Sequence, residues 1–151
     1  MKRFNVGIVG YGWAATAHIP AINAGALGQV TRICSSRALD ATELSARHDC
    51  ALQTGSDYAA MLADPDIHVV SICSYHHQHK EQAIAAARAG KHLIVEKPLA
   101  LSLADVREIE QGADMPLTGL KEAVLTHEVI FAADLSQQLG RPVKLDEIRK
   151  P

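Results

Sequence analysis

The chain has no apolar run approaching the roughly 18 to 20 residues that a membrane-crossing helix needs. It has no excess of charge either: the formal net charge is -2, and no basic cluster marks a nucleic-acid footprint. Cysteine is scarce. Cys34, Cys50 and Cys73 are an odd set without C-x-x-C spacing, two of them inside apolar runs, so they read as small reduced core residues and not as a redox centre. The start, Met1-Lys2-Arg3-Phe4, leads straight into an apolar segment without the spacing of a signal peptide. Membrane and nucleic acid are therefore not expected as partners, and a cytoplasmic location is.

What is present is globular. With 48% hydrophobic and 21% charged residues in 151, the chain suits one domain with a real core, about a third to a half of the size of a two-domain enzyme.

Apolar runs alternate with helical patterns. Phe4 to Val9 is a short apolar run ending in glycines, and helical spacing follows over 13–24 until Gly25. The unit repeats: a strand at Val30–Cys34 and a helix from Asp40, a plausible N-cap, to Arg47. A weak strand at 51–54, a short helix near 57–63 and a buried strand at Ile67–Cys73 come next. An alanine-rich helix over 77–89 closes at Gly90, and Lys91–Val95 and 102–110 supply a fifth strand and its helix. Strands apolar throughout and separated by helices predict an α/β, doubly wound parallel sheet in a single domain.

The first turn carries chemistry. Gly10-Tyr11-Gly12-Trp13-Ala14-Ala15 is a G-x-G-x-x-A fingerprint between a strand and a helix. Gly10 permits the tight turn, Gly12 lets a pyrophosphate approach the backbone, and Ala15 lets the helix pack closely on the strand. The free N–H groups and positive dipole end of that helix then face the phosphates. A tight turn that merely needs glycines is the plain alternative. After the second strand stand Ser35-Ser36-Arg37, with Asp40 the nearest acid. Hydroxyls and a guanidinium suit a 2'-phosphate, so NADP is favoured over NAD; otherwise Arg37 is a solvated arginine and Asp40 only a cap.

These segments, with Ile72-Cys73-Ser74-Tyr75-His76-His77-Gln78-His79 and above all Ala89-Gly90-Lys91-His92-Leu93-Ile94-Val95-Glu96-Lys97-Pro98-Leu99-Ala100, resemble the Gfo/Idh/MocA (glucose-fructose oxidoreductase / inositol dehydrogenase) family over residues 4 to about 110. The resemblance implies a Rossmann NAD(P)-binding fold. It implies catalytic roles for Lys97, which would hydrogen-bond the reacting hydroxyl, for Glu96, which would orient Lys97, and for His79 at the start of the helix after strand four. Pro98, often cis in such enzymes, would fix the turn. The cofactor would lie against Gly10, Gly12, Trp13, Ala14, Ala15, Ser35, Ser36, Arg37, the loop Ser74, Tyr75, His76 with His79, and Glu96, Lys97, Pro98. Tyr75-His76 stand where relatives usually carry Pro-Asn, a departure at that loop. No acid-and-cysteine set accompanies His76, His77 and His79, so no metal site is expected.

Residues 1–110 are thus expected to form the dinucleotide core, and 111–151 a linker, helix and tail packed on it. Pro116-Leu117-Thr118-Gly119, a helix over 119–138 and Gly140-Arg141-Pro142-Val143-Lys144-Leu145 resemble the family's C-terminal segment. The expectation is a member whose substrate domain is missing. Leu120, Val124, His127, Phe131 and Leu135 form a stripe able to cover the sheet, with His127 structural. Strand five near an open edge predicts a homodimer, and Val143-Lys144-Leu145 reads as strand-like. Three functions follow: a dinucleotide-binding module; an active sugar or polyol dehydrogenase completed by its dimer partner; and a structural protein that has lost the cofactor.

Overall fold

A computed structural model describes residues 3–112 and 120–149. The parallel sheet is built from β1 (Phe4–Val9), β2 (Gly28–Cys34), β3 (Gln53–Gly55), β4 (Val69–Ile72) and β5 (His92–Val95), in the order β3-β2-β1-β4-β5. All four pairings are parallel, as strands apolar on both faces require. The order reverses between β1 and β4, the switch point at whose carboxyl end ligands bind in open α/β sheets.

Helices α1 (Trp13–Ala24), α2 (Ala41–His48), α3 (Tyr58–Ala63), α4 (His79–Arg88) and α5 (Leu103–Gly112) connect or follow these strands. Their limits follow local chemistry. The Asp40 carboxylate accepts the N–H groups of Thr42 and Glu43, and Asp57 accepts that of Ala60, the N-cap arrangement. Gly90, at φ +70°, ends α4, with the Gly90 and Lys91 N–H groups returning to the carbonyls of Ala87 and Ala86. A 3-10 turn, His76–Gln78, precedes α4, which shortens the helix anticipated over 77–89.

One apolar cluster lies on each face of the sheet. Val6, Ile8, Val30 and Ile33 meet Ala15, Ile19 and Leu44 on one side. Val9, Val70 and Ile72 meet Met61, Ile84, Val106, Ile109 and Val124 on the other. Val124 belongs to α6 (Leu120–Leu139), and Phe131 packs on the same cluster. The expected stripe therefore covers the core through these residues, with Leu135 half-buried and the side chain of Leu120 outside the described residues. His127 is buried, and its Nε2 accepts the N–H of Leu99 at 2.9 Å.

The strand-like reading of Val143-Lys144-Leu145 is corrected. Leu145–Arg149 is a short helix, α7. The Glu147 carboxylate accepts the Lys144 N–H at 2.9 Å while the Glu147 N–H donates to the Lys144 carbonyl at 3.0 Å, a reciprocal cap that closes a helical turn instead of leaving a strand to find a partner. Arg149 fixes α7 to the buried Glu128 of α6 at 2.6 Å. The Pro116-Leu117-Thr118-Gly119 segment lies outside the described residues. No described helix is long and apolar enough to cross a membrane.

Candidate functional site: a dinucleotide cradle at the carboxyl ends of the strands

Gly10, Ser35, Ser74 and Glu96 follow β1, β2, β4 and β5 in turn, so a parallel sheet gathers their loops at one edge. Gly10 has φ +85°, and a Cβ placed on it would lie 2.5 Å from the Ser74 Cα and 2.8 Å from the Cys73 carbonyl carbon. Both conformation and space thus require glycine where the first turn crosses the end of β4. Gly12 differs. It caps α1 in extended conformation without a side-chain cap, and a Cβ there would meet nothing within 4 Å. The space that only its hydrogen occupies is the opening above α1.

The first helical hydrogen bond runs from the Thr16 N–H to the Gly12 carbonyl. The amides of Trp13, Ala14 and Ala15 precede it and point out of the helix end as donors. Ala15 is fully buried against the sheet, Ala14 is half-buried, and Trp13 is 84% exposed at the rim. An open glycine, three free amides and no nearby carboxylate cap form a cradle that fits a pyrophosphate.

The end of β2 reaches the same turn. Ser35 is buried, and its Oγ accepts the Arg37 N–H at 3.2 Å. Ser36 and Arg37 are exposed, and the Arg37 guanidinium donates to the Tyr11 carbonyl. Arg37 therefore lies across the glycine loop instead of standing free in solvent. Asp40 spends one carboxylate oxygen on capping α2. The Tyr11 hydroxyl meets His48 Nε2 at 2.8 Å, and burial, with the neighbouring Arg47 charge, lowers the His48 pKa from its ordinary value.

After β4, the Ser74 hydroxyl donates to Gln82 at 2.5 Å. Tyr75, His76 and His77 are exposed; the Tyr75 and His77 rings stack at 5.9 Å, and with Ser74 and Leu101 these residues line an open hollow of about 350 Å³. His79 parts from its neighbours. It is fully buried, with Nδ1 2.8 Å from the Pro98 carbonyl and Nε2 3.2 Å from the Ser74 carbonyl. It ties the β4 loop to the β5 loop, and both ring nitrogens face acceptors away from solvent. Among the described residues no group of three or more His, Cys, Asp or Glu is disposed to hold a metal.

The β5 loop holds the remaining predicted residues. The Lys97-Pro98 bond is cis. Lys97 is exposed and, among the described residues, has no hydrogen-bond or ion-pair partner. Glu96, expected to orient Lys97, turns the other way: its Oε1 lies 2.8 Å from His18 Nε2. His18 Nδ1 in turn lies 2.8 Å from Ser71 Oγ and 3.6 Å from Cys73 Sγ. Burial raises the Cys73 thiol pKa above its usual value, opposed by its hydrogen bond with Ser71. Sequence reasoning missed His18. The available signal was its place three residues after Ala15, which puts a polar side chain on the sheet-facing side of α1.

Comparison with known proteins agrees with this geometry. Residues 4–115 match the family model described as an oxidoreductase family with an NAD-binding Rossmann fold. The chain is 38% identical over 138 residues to levoglucosan dehydrogenase of Pseudarthrobacter phenanthrenivorans, covering 87% of this chain and 34% of that protein. A solved levoglucosan dehydrogenase in complex with NADH superposes with a TM-score of 0.67 at 36% identity, over 74% of this chain and 32% of that one. Biliverdin reductase from Synechocystis, in complex with biliverdin and NADP+, gives 0.64 at 28% identity over 72% and 34%. The chain thus spans about a third of the length of these relatives. It belongs to the Gfo/Idh/MocA oxidoreductase family, of which it carries the NAD-binding Rossmann fold.

Proposed function

We propose that the carboxyl edge of the sheet binds NADP in preference to NAD, as the cofactor-holding part of an oxidoreductase. The observation that carries this reading is the open position above Gly12 at the end of α1, with the Arg37 guanidinium drawn over the same turn. A pyrophosphate is recognised there by backbone N–H groups and the helix dipole. Arg37 and Ser36 offer donors for a 2'-phosphate, whereas Asp40, the nearest acid, is engaged as a cap. Relatives solved with NADH and with NADP+ both exist, so the preference rests on this chain's own residues.

When bound, the nicotinamide supplies the hydride acceptor or donor. The residues near it have separate tasks. Lys97 presents an unpaired ammonium to the oxygen of a substrate hydroxyl or carbonyl and moves its proton. His79 holds the Ser74 and Pro98 loops in register. Levoglucosan dehydrogenase among the relatives supports a sugar or polyol hydroxyl as the reacting group in the whole enzyme.

The same reading takes residues 1–110 as the dinucleotide core and 111–151 as a tail covering it, in a cytoplasmic protein. It includes a two-fold dimer, supported by the edge position of β5 and by exposed Leu125, Val129 and Ile130 on α6. Sedimentation at tens of micromolar giving only monomer rejects the dimer.

The cofactor test uses Trp13, the single tryptophan. Titration with NADPH and with NADH, following energy transfer from Trp13 to the reduced nicotinamide, is expected to give saturable transfer that is tighter for NADPH. Equal affinities reject the NADP preference. Transfer with neither rejects the cofactor reading and favours the structural protein.

A further inference from the structure

The contact between α1 and the β5 loop has a consequence for Lys97. Glu96, His18 and Ser71 stand in a row: carboxylate to Nε2 at 2.8 Å, Nδ1 to hydroxyl at 2.8 Å. The order is that of a nucleophile triad, yet Ser71 is fully buried inside β4 and meets no substrate. The row therefore serves the group beside it.

A carboxylate only accepts, so His18 Nε2 carries a proton toward Glu96. Nδ1 then accepts from the Ser71 hydroxyl in the neutral ring. In the charged ring Nδ1 donates instead, and the Ser71 hydroxyl can turn to Cys73 Sγ, 3.6 Å away. Glu96, Ser71 and Cys73 thus keep the imidazole in one place in either state. Its backbone also fixes Glu96, whose N–H donates to the Ile72 carbonyl at 3.0 Å. With the backbone held, what the bond to His18 controls is the direction of the Glu96 side chain, and the next residue along the chain is Lys97.

We propose that His18 is a positioning residue for Lys97: by holding the Glu96 carboxylate against α1, it keeps the Lys97 ammonium without a counter-ion and available to a substrate oxygen. The link to substrate rests on the oxidoreductase reading above. The link between His18, Glu96 and Lys97 does not. Because His18 lies on the helix whose N-terminus forms the phosphate cradle, the same bond ties that helix to the loop that carries the lysine.

The test is competitive acylation of the purified, cofactor-free chain with a trace amine reagent, read by mass spectrometry at Lys97 against the exposed Lys144 in the same molecule. An ammonium held by a carboxylate yields its proton less readily and acylates more slowly. His18→Leu is expected to lower Lys97 labelling about two- to fivefold, the effect of an exposed ion pair. His18→Gln, whose amide can donate to Glu96 and accept from Ser71, is expected to restore it. Adding Glu96→Gln to His18→Leu also restores it, because the competing carboxylate is gone. Should His18→Leu not fold, Glu96→Gln alone decides: unchanged Lys97 labelling supports the proposal, and an increase shows that Glu96 was already paired with Lys97 and overturns it. Equal labelling in wild type and folded His18→Leu likewise overturns it. All these comparisons omit cofactor, so absence of NADPH binding counts against the cofactor reading alone.

Discussion

The two ends of the sheet use polar side chains in opposite ways. At the amino end they close on the backbone. Lys91 is buried, with its ammonium 2.7 Å from both the Asp64 and Ile67 carbonyls. Arg3 donates to the carbonyls of Asn23 and Gly25, Gln29 to Asn5, and the Val30 N–H finds the Asn23 side chain where the β1–β2 register shifts. At the carboxyl end the amides of α1, the Lys97 ammonium and the space above Gly12 stay open. The difference separates stability from function. Groups satisfied at one end, the buried Arg3 Nε excepted, hold the strands in register, and open groups at the other are what a ligand can satisfy.

The comparison can be broken at its strongest point first. Gly10→Ala forces φ +85° on an L-residue and drives a Cβ to 2.5 Å from the Ser74 backbone; the expected loss is about 2–5 kcal/mol in urea unfolding, with dinucleotide binding lost as well. A loss under about 1 kcal/mol would mean that the turn relaxes freely. Lys91→Met acts at the closed end alone. It removes the donor shared by two carbonyls, and about 1–3 kcal/mol of stability should go while NADPH affinity is kept; a selective fall in affinity would place Lys91 in the site.

Gly12→Val is the converse. Its backbone is extended and nothing lies within 4 Å, so unfolding should move by less than about 0.5 kcal/mol, whereas affinity for NADPH drops tenfold or more, about 1.4 kcal/mol. Unchanged binding would show that no phosphate approaches this glycine.

The smallest effect concerns α7, away from both ends. The Arg141 side chain, with the Lys144 N–H, lowers the Glu147 pKa from 4.5 to about 2. The carboxylate's contribution is therefore complete above about pH 4.5 and fades as the pH falls toward 2. Carbon-detected titration of Glu147 should give a midpoint near 2; a midpoint at the ordinary carboxylate value would mean that α7 is not capped in this way.

Much of this was legible in the sequence, and for a local reason. The glycine loop, the caps at Asp40 and Gly90 and the apolar strands are set within a few residues of one another, so pattern alone finds them. The Ala89-Gly90-Lys91-His92 string marks the family in the sequence, and in the fold its Lys91 has a structural task. Val143-Lys144-Leu145 misled because three alternating residues suit a strand, while Glu147, beyond them, closes the turn.

Sequence by itself determined the alternation of strands and helices, the parallel sheet and the place of the glycine turn before α1, because period, caps and turn residues act over short distances along the chain. Only the tertiary structure decided which way Glu96 faces, that His79 is a buried tie between loops, that Arg37 crosses to Tyr11 and that His18 meets Glu96. The contacts of His79 with Pro98, of Arg37 with Tyr11 and of Glu96 with His18 join residues 19 to 78 positions apart. They exist because parallel strands bring their carboxyl ends to one edge, a juxtaposition that no local pattern encodes.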